Sequence, residues 1–257
     1  MKKLFTLAAA SLLGAALTTA TVQAQQAAIS WTAPVSIGTN TATLDLITNS
    51  YGTSATFFTA VDFSDLNNPQ TVVTVGGQSI SFSTIQLSGY AANGLTNSLN
   101  NITVTATNAA GGQHTGALFT NSLSGSGAAA FTSVMAADAW GLTTVDITGL
   151  TIGQTYAFTL FGSDNRTPGN IATNVFSDSF ANSVHATENP GTATVGSFTA
   201  TSSSEIINVT AQTNGVAALF SSSVSAITVY AVPEPATYVL FGLGALLLVV
   251  AYRRKVA

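Results

Sequence analysis

The stretch ITGLTIGQTYAFTLFGSDNR, residues 147–166, alternates in period two once it passes Gln154. Such alternation sets Tyr156, Phe158 and Leu160 on one face and Ala157, Thr159 and Phe161 on the other. That is the geometry of a β-strand, because a helix repeats every 3.6 residues instead. Gly149 and Gly153 ease a turn before the strand, and Leu150 and Ile152 are expected to pack inward around it. After Phe161 the chain enters a polar loop, Ser163 to Asn170.

The same reading extends in both directions. Strands are predicted over Ile29–Ala33, Thr41–Ile47, Thr56–Phe63, Ile102–Thr107, Leu142–Ile147, Ile206–Ala211, Val216–Phe220 and Ala226–Ala231, with Gly, Asn and Ser between them. TVVTVGGQSISFST reads as a hairpin turned at Gly76-Gly77, which supply positive φ. Only Gly127–Asp138 has a helical pattern. Many short strands without a fixed repeat predict an all-β fold, one β-sandwich or jelly-roll body over residues 25–231.

Charge is scarce in that body. Its acids are Asp45, Asp62, Asp65, Asp138, Asp146, Asp164, Asp178, Glu188 and Glu205, against Arg166 as the one basic side chain, a net charge near −8. Nucleic acid and anionic membrane surfaces are not expected as partners, since both require a basic footprint. Solubility must come from Ser, Thr, Asn and Gln, groups suited to hydrogen bonding with sugar hydroxyls. The chain has no cysteine, so neither a disulfide framework nor thiolate chemistry is available.

Catalytic signatures are missing from the sequence. His114 and His185 stand far apart, without the H-E-x-x-H spacing of a zinc protease, and no G-x-S-x-G elbow occurs. Asp62, Asp65, Asp138 and Asp164 could supply a glycosidase pair only if the fold brought two of them together. The body is therefore read as non-catalytic and without a cofactor. Asp164, Asn165, Arg166 and Asn170, with Trp140, form the candidate ligand loop. Arg166 offers a fork of donors to a ligand's oxygens, or pairs with Asp164 to fix the loop. Asp164, Asn165 and Asn170 carry hard oxygens that would suit a structural Ca²⁺, although no complete loop motif supports one. Trp31 and Trp140 are read as core residues, with stacking on a sugar ring as the alternative.

Both ends carry addresses. Lys2 and Lys3 precede an apolar run from Leu4 to about Leu17, and Val22 and Ala24 are the small-residue pair that signal peptidase reads. Residues 1–24 are thus expected to be a signal helix, cleaved after Ala24. At the other end, residues 236–252 carry no charge. As a helix they would span roughly 25 Å, the short limit for a membrane crossing. Arg253, Arg254 and Lys255 follow and would stay cytoplasmic, so the body would lie outside. Pro233 and Pro235 keep the preceding segment extended.

Val232-Pro233-Glu234-Pro235, the span 236–252 and Arg253-Arg254-Lys255 together resemble the PEP-CTERM sorting signal of Gram-negative bacteria. The resemblance covers residues 232–257. It implies export across the inner membrane, a transient membrane anchor, processing by exosortase, and delivery to the cell surface or extracellular matrix. Gly149, Leu150, Gly153, Tyr156, Asp164 and Arg166 resemble a turn and strand of galactose-binding-like and malectin-like jelly rolls. A tyrosine after a Leu-Gly turn also occurs as the tyrosine corner of fibronectin type III domains. The expected function is a structural or carbohydrate-binding module associated with exopolysaccharide in a biofilm. The alternatives are a secreted glycan-active hydrolase and a self-assembling matrix protein. N-terminal sequencing of the exported protein is expected to begin at Gln25.

Overall fold

A computed structural model describes residues 26–37, 55–63, 72–75, 78–85, 95–106, 112–115, 128–163, 173–187, 191–213, 216–217 and 222–233. The signal segment 1–24, the predicted strand Thr41–Ile47, the loop residues Asp164, Asn165, Arg166 and Asn170, and the span 236–252 lie outside them.

Two seven-stranded sheets account for most of the described residues. The first contains β1 (Ser30–Trp31), β2 (Val35–Ser36), β3 (Thr56–Asp62), β6 (Ser83–Thr84), β12 (Thr155–Gly162), β15 (Thr192–Thr199) and β19 (Ala226–Val232). Its order is β1-β15-β12-β19-β3-β6, with β2 also on β15. The second contains β7 (Leu95–Leu99), β8 (Ile102–Ala106), β11 (Leu142–Thr148), β13 (Thr173–Ser177), β14 (Ser183–Thr187), β16 (Ser204–Thr213) and β17 (Val216–Ala217). There the order is β14-β13-β16-β11-β8-β7, with β17 on β16. A hairpin, β4 (Val72–Val75) and β5 (Gln78–Ser81), and a short sheet of β9 (Gly112–Thr115), β10 (Ala137–Trp140) and β18 (Ser223–Val224) complete the strands. Among the described strands, pairing is antiparallel except between β3 and β6.

The main core lies between the two large sheets. Val61, Tyr156, Phe158, Leu160, Phe198, Ile227 and Val229 from the first sheet meet Ile102, Val104, Val145, Ile147, Phe176, Ile207 and Val209 from the second. The alternation read in β12 holds: Tyr156, Phe158 and Leu160 enter this core. The opposite face is buried too. Ala157 and Phe161 belong to a second cluster with Val73, Ile80, Phe82 and the helix residues Phe131, Val134 and Met135. The helix, α1 (Ala128–Met135), is shorter than its predicted span because Ala137–Trp140 pairs as a strand. Its Phe131 meets Phe161 edge-on with ring centroids 5.4 Å apart. The first sheet is thus a middle layer.

Phe158 fixes how the strands beside it pack. It pairs across the sheet with Gly196, and a Cβ at Gly196 would lie 2.3 Å from the ring. Trp31 presents an edge-on contact to Phe158 at 5.5 Å and stacks on Phe176 at 6.4 Å. Trp31 is therefore half-buried and packs against the core. The Leu-Gly turn behaves partly as expected. Leu150 is buried and the Thr151 N–H donates to the Tyr156 hydroxyl at 3.0 Å, but Ile152 points outward at 68% exposure. The turn is too short to bring both apolar side chains inward, and Leu150 takes the core position.

The start of the body is clasped by buried carboxylates. The Ala27 N–H donates to Glu205 at 2.7 Å and the Ile29 N–H to Asp178 at 2.7 Å. The Ile206 N–H donates to the Gln26 side-chain oxygen at 2.8 Å. Burial pushes the Glu205 carboxyl up to about 7. The Ala27 hydrogen bond opposes this, and the neighbouring charges of Asp178 and Asp146 add to it. For Asp178, burial also acts upward, but hydrogen bonds from Ile29, Phe180 and Asn182 outweigh it and hold the carboxyl below its usual range. Asp146, half-buried on β11, is raised by burial.

These shifts have opposite consequences for stability. The folded state holds the Glu205 proton more tightly than the unfolded chain does, so its contribution is complete below pH 4.5 and declines as pH rises through about 7. Asp178 contributes above its unfolded value of 3.8 and loses that contribution only as pH falls through its lower folded value. Urea midpoints are expected to fall from pH 5 to pH 8, and Glu205→Gln, which keeps an acceptor for Ala27, should flatten that dependence. Gly196→Ala is expected to cost about 1–3 kcal/mol at constant pH through overpacking against Phe158, measured in the same titration.

Candidate functional site

The clasp and two turns build an open depression at one end of the sandwich. Its volume is about 480 Å³, and Gln26, Ala27, Ala28, Phe180, Thr199 and Thr201 line it. Phe180 is 45% exposed, a large aromatic side chain facing solvent. The turn that carries it is rigidly organised. Asp178 accepts from the N–H groups of Phe180 at 2.8 Å and Asn182 at 2.9 Å, and from the Asn182 side chain at 2.7 Å. A short carboxylate that binds backbone two and four residues on is what closes such a turn. Ala181 takes a φ of 65°, a conformation unusual for a residue with a Cβ. The carboxylate that holds Ile29 therefore also fixes the backbone from which the Phe180 ring projects.

The rest of the rim is neutral. Thr199 shares a hydroxyl contact with Thr155 at 2.9 Å, and Gln26 uses its carbonyl on the Ile206 N–H. The outer face of the second sheet continues this chemistry. Thr96 pairs with Thr105 at 3.3 Å and Ser98 with Thr103 at 2.8 Å. An apolar ring beside hydroxyl and amide groups can stack on a sugar ring and exchange hydrogen bonds with its hydroxyls. Proton transfer is a different requirement, because it needs a titratable group within reach of the reacting atom.

Two further described carboxylates lie in the interior. Asp62 and Asp138 are fully buried. His185 is exposed on β14, while His114 lies on β9, opposite Asp138 in the register with β10. Among the described residues, no group of three His, Cys, Asp or Glu side chains could hold a metal ion. Asp65 and Asp164 lie outside the described residues. Of the sequence-derived ligand loop, only Trp140 is described; it is half-buried on β10. Val232 is the last residue of β19 and Pro233 follows it half-buried, so the proposed sorting motif begins inside the sheet. Phe180 was not among the candidates. A single aromatic within SDSFANS carries no periodicity, and only Asp178, two residues before it, marked a turn.

Similarity to known proteins is confined to the tail and, distantly, to the fold. No curated protein is similar enough to count as a relative. Among solved structures, the chain is similar to Bacteroides uniformis beta-glucuronidase 2 covalently bound to cyclophellitol-6-carboxylate aziridine. That match has 10% identity and a TM-score of 0.42, and covers 68% of this chain and 18% of the other. The ANXUR1 extracellular domain from Arabidopsis thaliana matches at 9% identity and a TM-score of 0.42, over 69% of this chain and 49% of the other. The ANX1 ectodomain from Arabidopsis thaliana matches at 8% identity and a TM-score of 0.43, over 70% and 49%. The matched region is thus less than half of each of these structures. A family model described as the PEP-CTERM protein-sorting motif matches residues 231–255. PEP-CTERM proteins are exported and sorted to the cell surface, and the motif implies processing by exosortase. The end of this chain, from Ala231 to Lys255, is such a sorting motif.

Proposed function

We propose that the body is a non-catalytic, carbohydrate-binding module of jelly-roll type that works in the exopolysaccharide outside the cell. The observation that carries this reading is Phe180, an exposed aromatic ring fixed by the Asp178 turn beside Gln26, Thr199 and Thr201. Fixing the ring before a ligand arrives lowers the ordering cost of binding. The open shape suits a polymer that must lie across the surface, and the near-absence of basic groups suits a neutral glycan. The sorting motif supports the location. Val22 and Ala24 would direct signal peptidase, and Arg253, Arg254 and Lys255 would hold the tail in the inner membrane until exosortase acts at the Val232-Pro233-Glu234-Pro235 segment.

The test is binding of residues 25–233 to purified exopolysaccharide, with the polymer sized before and after. Saturable binding with unchanged polymer length is expected. Phe180→Ala should weaken binding about fivefold, the scale of one lost aromatic stack, while leaving the urea midpoint unchanged. Shortened polymer would instead favour a hydrolase.

A further inference from the structure

The end of the sandwich that holds the depression is also the end from which the tail departs. Thr155 pairs with both Val232 and Thr199, so these three residues form one row across β19, β12 and β15. Neighbouring strands lie about 4.8 Å apart, which puts Thr199 about 10 Å from Val232. Gln154 ties the exit down: its side-chain nitrogen donates to the Val232 carbonyl at 2.6 Å and to the Thr155 carbonyl at 2.9 Å. Ile152 stands two residues before Gln154, at the tip of the same turn.

This end is apolar at its tips and neutral around them. Ile152 is 68% exposed, Phe180 45% and Phe57 46%. Phe57 lies opposite Tyr230, near the last residues of β19. The surrounding described turn residues, Asn100, Asn101, Thr151, Gln154, Thr201 and Ser203, carry no charge; of the described carboxylates near this end, Asp178 and Glu205 are buried and Asp146 is half-buried. From Val232 to Ala236, the first residue of the uncharged run, the chain can extend at most about 14 Å. A body tethered that closely to a membrane span must keep this end at the lipid surface.

We infer that, while the tail is attached, this end of the sandwich rests on a zwitterionic phospholipid surface, with Ile152 and Phe180 entering the headgroup layer. The contact rests on the reading of residues 236–252 as a membrane span, and not on any ligand of the depression. Large apolar side chains at turn tips gain by leaving water, and a rim whose described carboxylates are buried or half-buried incurs little ionic desolvation on approach. The same contact covers the depression, so removal of the tail uncovers it.

The absence of cysteine allows a direct test in the full chain. Ile152→Cys, Phe180→Cys and Val35→Cys are labelled in turn with an environment-sensitive dye, and each protein is inserted into phosphatidylcholine vesicles containing brominated lipid. Val35 is the reference, because its partner Ala193 pairs with Phe161, toward the opposite end of β12. Dyes at 152 and 180 are expected to be quenched at least about twofold more than the dye at 35, on the scale of lost aqueous exposure. Vesicle flotation with equal quenching at all three sites would overturn the contact while leaving the span intact. Failure to float would overturn the span reading, and the contact with it.

Discussion

The ring of Phe158 occupies the middle of the gap between two sheets that must stack about 10 Å apart. It can do so only because Gly196 leaves the adjoining position on β15 empty. With that space available, β15 lies flat against β12 and offers its far edge to β1 and β2. Trp31 then closes the ring's exposed side and reaches Phe176 on the facing sheet. One large side chain facing one missing side chain thus fits β15 against β12 and leaves Trp31 in contact with both sheets.

The buried carboxylates serve a different purpose from the apolar core. Glu205 and Asp178 receive backbone N–H groups from the segment that enters the fold first, Ala27 and Ile29. Burying a carboxylate is costly unless its oxygens are satisfied, and the two residues solve this differently. Asp178 gathers four hydrogen bonds and stays ionised, while Glu205 has one and takes up a proton more readily. Asp178 thereby links three things: the entry segment, the turn at Asn182 and the backbone of Phe180.

What could be read in the sequence was whatever depended on neighbours close in the chain. The alternation of β12, the hairpin of β4 and β5, the helix and most strands of the first sheet's interior followed from local pattern. The missed strands show where that logic stops. β15, TATVGSFT, is weakened as a local pattern by Gly196, whose reason for being there is Phe158 on another strand. The tight turn at Asn100-Asn101, with φ of 47° and 68°, went unread although its residue types allowed it. Ile152 looked like Leu150 in sequence; only the finished turn separates the buried residue from the exposed one. Glu205 and Asp178 could not be singled out as clasps, because their partners lie at the start of the body, far away in sequence. Of the tail, the sorting motif was fully legible, since its parts are contiguous.

β19 occupies the interior of the first sheet, between β12 and β3, yet it is the last strand before the tail. β3 is made early and waits for it, so the middle of the sheet stays open until nearly the whole body has been synthesised. Pairings this distant in sequence form slowly, because loop closure must come before any contact rewards it. A chain that cannot close early remains threadable, which is the state that passage through a narrow translocation channel demands. The uncharged run begins only four residues after Val232, so this interior strand is made just before the apolar run of the sorting motif.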